Sequence, residues 1–515
     1  MMSMKKIYLI LAACASFVEV TAQNINQSVQ VTNDYVSILG EVRKHDVPMS
    51  VPDTLLNFDY KFNYSVFDSP YMGAYEFSPY SIQIHPDATV FDGRKLQVRA
   101  GAGYTLHPEL ELVYAPVVRK DFAMSVYANG AGYWYSDNRD LSGNAGAELR
   151  WYHKKNVILF STGYDGIFAA TDQPGNSLNS GFAKLNVKST TRGSYFFYDF
   201  NIGYRYGNEA LPSAKESEHI IFADGSIGPV IKNKFKLTVD FDLRYDAWGG
   251  VEDRKAAYAG LTPRASFLLG LVKISAGARI DYADGLRIAP VADANLALFK
   301  SRLNIFAGLT GGQNIYTYYD LRSVNHRFAI IGCHEGNKGV GYEKMNAFAG
   351  ISGHAGSHFE YRLKAGYAIR DNVPLFGVTG MYAFENYKLF YAEALLAVHS
   401  DRFDMTGQMH YGNYSMVSNS VCYTPASFCG TLTMRYNWNR RIYAGISAEG
   451  RSAMVSPTGN NVPAYVDLGL NLEYKLNGRW GVWAKGGNLA GMKIQRVPGF
   501  EEKGPYATVG FSLVL

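Results

Sequence analysis

The sequence predicts an all-β fold, a transmembrane antiparallel β-barrel, from three observations. Runs of about ten residues alternate apolar and polar side chains, the composition is rich in aromatics and glycine, and the N-terminus carries an export signal. The stretch FKLTVDFDLRY displays the alternation without a fault. Phe235, Leu237, Val239, Phe241, Leu243 and Tyr245 fall on one side, and Lys236, Thr238, Asp240, Asp242 and Arg244 on the other. Successive side chains of a strand point to opposite faces, so this strand has an apolar face and a charged one.

The composition agrees with a β protein. Tyr 38 and Phe 29 raise aromatics to 14%, Gly is 52, and charged residues are only 18% of the 515, against roughly 25% in soluble domains. The net charge of +5 is small for the length, and no basic run interleaved with aromatics could track a phosphate backbone, so nucleic acid is excluded as a partner. Outside the N-terminus no apolar run approaches the ~18–20 residues of a membrane helix.

The chain begins MMSMKKIYLILAACASFVEVTAQ, in which Lys5 and Lys6 precede an apolar stretch and Val20-Thr21-Ala22 forms a small-residue cleavage pattern. Residues 1–22 are read as a signal peptide. Leu11-Ala12-Ala13-Cys14 has the form of a rival lipoprotein box with Cys14 as the lipidated residue, although a strand-rich barrel needs no lipid anchor. Residues 23–54, with Pro48 and Pro52 and no clear period, form a short periplasmic or lumenal segment, and the barrel takes 55–515.

The alternation recurs along the rest of the chain. Leu96 to Tyr104, Val272 to Tyr282, Phe359 to Tyr367 and Val466 to Tyr474 each put apolar residues on one face, and the face tends to end in an aromatic. Short turns at Lys154-Lys155-Asn156, Lys232-Asn233-Lys234, Lys300-Ser301 and Asn477-Gly478 join many runs, the last a two-residue hairpin signal. Longer connections lie around 169–177, 207–215, 312–341, 414–425 and 450–463. The whole reads as an antiparallel meander.

Roughly two dozen such runs cannot all be buried in a soluble core, because each has a charged or glycine-rich second face. Stacked sandwiches or a propeller would repeat at a fixed period, and none is present. A closed barrel puts lipid on the apolar face and an aqueous lumen on the other, with no unpaired edge. Outer-membrane lipid is thus the first partner, and Tyr245 belongs to an interfacial aromatic girdle. Lys236, Asp240, Asp242, Arg244, Lys273, Arg279, Asp281, Glu360, Arg362, Lys364, Asp467 and Glu473 are expected to line the lumen, both signs together and in cross-strand ion pairs. Ala507, Val509, Phe511, Leu513 and Leu515 make an amphipathic last strand.

Cysteines are few. Cys422 and Cys429 could close a small disulfide loop in an oxidising compartment if their Cα atoms come within ~7 Å, or stay as two thiols. Cys333 has no evident partner.

No metal, cofactor or catalytic residue is assigned. His354 and His358 have a spacing that could hold a metal on a helix, but glycine and serine between two strands make a turn. The glycines of Arg99-Ala-Gly-Ala-Gly-Tyr104 lie inside a strand with no helix following, so they form no phosphate loop. His399 with Ser400, and His326 after Ser323, are the only neighbours that raise nucleophilic chemistry, and adjacency in sequence does not give the required geometry. The protein is read as a non-enzyme.

The segment GVWAKGGNLAGMKIQRVPGFEEKGPYATVGFSLVL resembles the closing hairpin of TonB-dependent outer-membrane receptors, with Asn488-Leu489, Pro498-Gly499 and the final strand Ala507 to Leu515. Tyr342 to Tyr367, where Glu343 leads into two strands, is similar to the late barrel of that family. The resemblance implies about 22 strands, with 20–24 allowed by the count of runs, and an outer-membrane location. Such receptors carry an N-terminal plug of well over a hundred residues, for which there is no room between Ala22 and the first run. Asp59 to Asp87 looks like a plugless group of these barrels. No TonB box is evident, so coupling to TonB does not follow from the resemblance.

A plugless barrel of that width would leave a large hole, because 22-stranded transporters are plugged. Candidate stoppers are residues 23–54, residues 67–94, a long connection such as 312–341, or another protein. The expected function is transport or binding of a solute across the outer membrane, with a lipoprotein or periplasmic partner as lid. The alternative is a non-transport scaffold or subunit of an outer-membrane or cell-surface assembly complex.

Overall fold

The computed structural model describes residues 95–515 apart from 105, 120, 136–137, 154, 171–176, 190–195, 211–214, 232–234, 251–252, 300–301, 325–338, 357, 418–420 and 503. The readings placed on residues 1–94, on His326 and on Cys333 lie outside the described residues.

Twenty-two strands form one sheet. In chain order they are β1 (Leu96–Gly103), β2 (Glu109–Val118), β3 (Phe122–Tyr135), β4 (Asn138–His153), β5 (Asn156–Ala170), β6 (Ser177–Ser189), β7 (Phe196–Ala210), β8 (Lys215–Ile231), β9 (Phe235–Gly249), β10 (Arg254–Leu269) and β11 (Val272–Tyr282). There follow β12 (Leu286–Leu298), β13 (Leu303–Ile315), β14 (Val340–Ala355), β15 (Phe359–Phe376), β16 (Tyr382–His399), β17 (Phe403–Met416), β18 (Phe428–Trp438), β19 (Ile442–Arg451), β20 (Tyr465–Lys475), β21 (Trp480–Gly487) and β22 (Tyr506–Val514). Each pairs antiparallel with its neighbour in sequence, and β22 pairs with β1 from Gln97↔Val514 to Gly103↔Thr508. The sheet is therefore a closed ring of 22, the number the receptor likeness implied. Among the described residues the first strand of the ring starts at Leu96; the expected start at residue 55 lies outside them.

The alternation behaves as a membrane wall should. On β9, Leu237, Leu243 and Tyr245 are exposed while Thr238, Asp246 and Trp248 are buried. Large exposed apolar side chains recur on the same face of strand after strand, among them Phe160, Ile202, Leu363 and Leu470. Side chains of that kind have hydrocarbon, not water, as their natural solvent.

Even-numbered strands are followed by connections of two to six residues, and those after odd-numbered strands fall at the other end of the sheet and include the long ones, 316–339, 417–427, 452–464 and 488–505. Of the expected turns, Lys154, 232–234 and 300–301 lie outside the described residues, and Asn477-Gly478 differs. At Asn477-Gly478 the connection takes 476–479, because the Asn477 side chain accepts from the backbone N–H of Arg479 and of Trp480, both at 2.8 Å, and stabilises a wider turn.

Strand lengths depart from the uniform ten. β15 and β16 reach 18 residues, while β1 and β21 have 8. The extra length of the long strands lies at the end with the long connections, where it builds a mouth.

Candidate functional site: a helix seated in the mouth

The chain leaves β13 at Ile315 and, before returning at β14, forms α1 (Tyr318–Val324), the single helix among the described residues. Thr317 caps it. The backbone N–H of Asp320 donates to Thr317 Oγ1 at 3.0 Å and that of Thr317 to Asp320 Oδ2 at 3.3 Å, a reciprocal capping box that satisfies two donors left over at a helix start.

Tyr318 and Leu321 of α1 pack into one buried cluster with Leu178 of β6, Trp248 of β9, Phe376 of β15 and Tyr382 of β16. Tyr423 of the β17–β18 connection and Val497 and Phe500 of the β21–β22 connection close over it. Seven helical residues span only ~10 Å. Such a helix can touch strands this far apart around the ring only from inside the mouth.

Polar contacts fix the seat. Glu218 of β8 accepts the N–H of Tyr318 at 2.6 Å and of Tyr319 at 2.8 Å, which places a carboxylate against two unpaired helix donors. Arg322 donates through Nε to Glu209 Oε2 of β7 at 2.8 Å and forms an ion pair with the same carboxylate. Tyr382 donates its hydroxyl to the Leu321 carbonyl at 3.0 Å, and Trp248 its indole N–H to Glu216 at 2.7 Å. Arg205 of β7 stacks over the Tyr319 ring, 3.9 Å from its centroid, and pairs with Asp165 at 2.9 Å. Burial pulls the Arg322 guanidinium down to about 10, so it keeps its charge at neutral pH, and pushes the Tyr319 phenol up to about 12.

Both ends of this connection pass glycines in the left-handed region, Gly312 (φ 148) and Gly339 (φ 65). At Gly312 the β13–β14 ladder slips its register between Thr310 and Gly312. A Cβ there would come 2.6 Å from Arg279 Nε and from Asp281 Oδ2. Those two side chains bind each other at 2.9 Å, and Asp281 accepts the Gln313 N–H at 2.8 Å. At Gly339 a Cβ would strike Arg254, which pairs with the buried Asp246 and donates to the Tyr316 carbonyl at 3.3 Å. Each end of the connection is thus held by an arginine–aspartate pair on the inner wall, at a point where only glycine leaves room.

The β21–β22 connection is tied in by Arg496, which reaches Glu449 of β19 at 2.9 Å, Asp467 of β20 at 2.8 Å, and Glu502. Burial works against the Arg496 charge, but the bonds to Glu449 and the field of Glu502 outweigh it and raise the guanidinium; burial likewise pushes the Glu502 carboxyl up. Val497-Pro498-Gly499-Phe500 is a turn with Gly499 at φ 81 and the Phe500 N–H on the Val497 carbonyl at 3.2 Å, the type II geometry that favours Pro then Gly. It presents both flanking apolar residues to α1.

No family model matches the chain, and no curated protein matches it. Solved structures do. The FrpB iron transporter from Neisseria meningitidis, in its apoprotein form, superposes with a TM-score of 0.66 at 8% identity over 82% of this chain and 81% of that one. The ferric-catecholate import receptor Fiu from E. coli K12 gives 0.64 at 8% over 82% of each chain. The siderophore receptor PirA from Pseudomonas aeruginosa gives 0.60 at 13%, over 82% of this chain and 80% of that one. The fold is the barrel of the TonB-dependent receptors.

In this receptor-type barrel, an outer-membrane β-barrel by its fold, the twelve charged residues singled out in the sequence fall into groups. Arg244, Arg279, Asp281 and Asp467 are drawn into the mouth; Arg244 reaches the Ile315 carbonyl at 3.5 Å and Asp320 at 3.8 Å. Asp240 and Lys364 make cross-strand pairs, with Arg264 at 3.8 Å and Glu393 at 3.3 Å. Lys236 and Arg362 lie over the rings of Phe197 and Phe306. Asp242, Lys273, Glu360 and Glu473 alternate with the exposed apolar face.

The Cys422–Cys429 disulfide is not formed. Both thiols are free and buried, in separate clusters: Cys422 with Leu375, Tyr387 and Leu389, Cys429 with Ala426, Met454 and Val462. Burial lifts the Cys422 thiol to about 12. His354 and His358 flank a hairpin turn at Gly356 (φ 67), and His358 faces the His399 carbonyl at 2.8 Å. Ser400 donates to the Phe403 carbonyl at 3.0 Å within its own turn.

Glu209, Glu216, Glu218, Asp246, Trp248, Arg322 and Arg496 escaped the sequence reading. A signal existed for two of them: Asp246 and Trp248 continue the even-numbered face of FKLTVDFDLRY past Tyr245, where the alternation had been taken to stop.

Proposed function

We propose that the protein transports a solute across the outer membrane through a lumen that its own β13–β14 connection stoppers. The charged inner face, including the twelve residues named above, lines the path, and the end bearing the long connections faces outward, as outer-membrane barrels keep short turns in the periplasm. The observation that supports this most is α1 itself, a capped helix held inside the mouth by a buried ion pair, two backbone bonds to Glu218 and an apolar cluster. A structural scaffold has no use for a sealed mouth, whereas a barrel wide enough to leak must be closed until its cargo arrives. The fold neighbours carry metal-bearing cargo, as the words siderophore receptor, iron transporter and copper transporter in their names say, so chelated metal is the first solute class to try.

Planar-bilayer conductance of the purified protein tests the reading. The intact barrel should be silent, and Arg322→Ala should give discrete open events. Silence in every mouth variant, with a partner co-purifying at fixed stoichiometry, would turn the reading to the scaffold.

A further inference from the structure

We infer that the short-turn rim of the barrel is a docking surface for anionic phospholipid, whose headgroup phosphates it gathers from the leaflet it stands in. The two ends of the sheet differ in charge. The ten connections after even-numbered strands hold thirteen Lys or Arg and two Asp, a net of +11, whereas those after odd-numbered strands hold six Lys or Arg and nine Asp or Glu, a net of −3. The whole chain carries only +5, so positive charge is concentrated at one rim. Seven of the ten turns are net positive, from β2–β3 round to β20–β21. The charge therefore follows the ring and does not mark one side of it.

Neighbouring aromatics set the height of this rim. Trp151, Trp438 and Trp480 are exposed and stand on the lipid face, opposite Ile158, Ile442 and Leu513, and indole rings on the outside of a barrel mark the headgroup level. Lys154-Lys155 follows Trp151, Arg440-Arg441 follows Trp438, and Arg479 adjoins Trp480. Cations one to four residues from such a ring reach the phosphate plane, where a basic surface attracts anionic lipid and Arg can hold a phosphate by two parallel hydrogen bonds. Arg119, Lys155, Arg302, Arg440, Arg441 and Arg479 are all exposed and make no ion pair among the described residues. A soluble acidic partner would have to reach round the whole ring to use these charges, whereas lipid meets every turn at once. On the orientation proposed above the leaflet is the periplasmic one, and only that assignment rests on the transport reading.

Spin-labelled lipids test this on the whole protein reconstituted in phosphatidylcholine vesicles. The fraction of label immobilised at the protein is compared for phosphatidylglycerol and phosphatidylcholine. The protein should favour phosphatidylglycerol severalfold at low salt, and the preference should shrink as salt rises from about 0.01 M to about 1 M, over which the Debye length falls from roughly 30 Å to 3 Å. A variant with Arg119→Gln, Lys155→Gln, Arg302→Gln, Arg440→Gln, Arg441→Gln and Arg479→Gln, its fold checked by far-UV dichroism, should lose a large part of the preference; the salt series needs no variant. Equal immobilisation of the two lipids at low salt would overturn the inference and leave the rim to a soluble acidic partner. A preference unchanged by salt or by the six substitutions would overturn it too, by placing the lipid site elsewhere on the wall. None of these outcomes depends on whether the barrel conducts, so the transport reading stands or falls separately.

Discussion

Arg322 and Glu209, 113 residues apart in sequence, meet inside the barrel mouth with Nε and Oε2 at 2.8 Å. Both are almost fully buried. Removing one partner of such a pair strands the other charge, at ~3–5 kcal/mol, while replacing both by apolar side chains is often neutral. Arg322→Ala and Glu209→Ala should each undock α1 and raise channel open probability, whereas Arg322→Met with Glu209→Met should stay shut. A double variant as leaky as the singles would refute the seat in favour of a specific role for the charges.

Glu218 anchors the helix start through two backbone bonds. Glu218→Gln keeps one acceptor oxygen but turns an amide NH2 toward the second helix N–H, which is left without its acceptor. The expected loss is about 1 kcal/mol, read as a roughly fivefold rise in open time.

Gly312→Ala should disturb the mouth more than Gly356→Ala does. Both glycines have positive φ, but a Cβ at Gly312 meets Arg279 and Asp281 whereas at Gly356 nothing lies within 4 Å. The Gly356 change carries only backbone strain of ~1–2 kcal/mol and should lower the unfolding midpoint with conductance unchanged; Gly312→Ala should alter both.

Alkali should loosen the mouth. Cys422 and Tyr319 hold their protons to about 12 in the fold, against ~8.5 and ~10 when unfolded. A pKa raised by folding gives stability that is whole below the unfolded value and lost as pH climbs through the folded one. Denaturant midpoints should be flat up to about pH 8 and decline between about pH 9 and 12. Cys422, fully buried, should also resist iodoacetamide at pH 8 in the folded barrel.

Arg496→Ala should free the β21–β22 connection. Glu449, Asp467 and Glu502 would lose their shared cation, and Val497 and Phe500 their hold on α1. Conductance should become flickering rather than fully open, because the Glu218 and Glu209 contacts remain.

The wall of the barrel was legible because a lipid-facing strand writes its environment every second residue, as Phe235 to Tyr245 does. Closure followed from the recurring two-faced runs, whereas the strand number came from the family likeness of the last hairpin. The mouth was legible only as one candidate among several. Its partners, Glu209 with Arg322 and Asp467 with Arg496, are distant in sequence, and a short helix of about two turns leaves no periodic trace. Glu216 and Glu218 lie two apart in Lys-Glu-Ser-Glu-His, which reads equally well as a solvated loop. The Cys422–Cys429 spacing left disulfide and free thiols equally open, and the thiols are free because they fall in different clusters, which no loop length can foretell.

The residues that hold α1 come from both sides of it in sequence: Glu209, Glu218 and Trp248 precede it, and Tyr382, Tyr423 and Phe500 follow it. Half of the socket therefore does not exist until the C-terminal third of the chain has been inserted. The ring closes only when β22 meets β1, after all of these residues are in the chain, so the wall and the socket are completed by the same late-arriving segment.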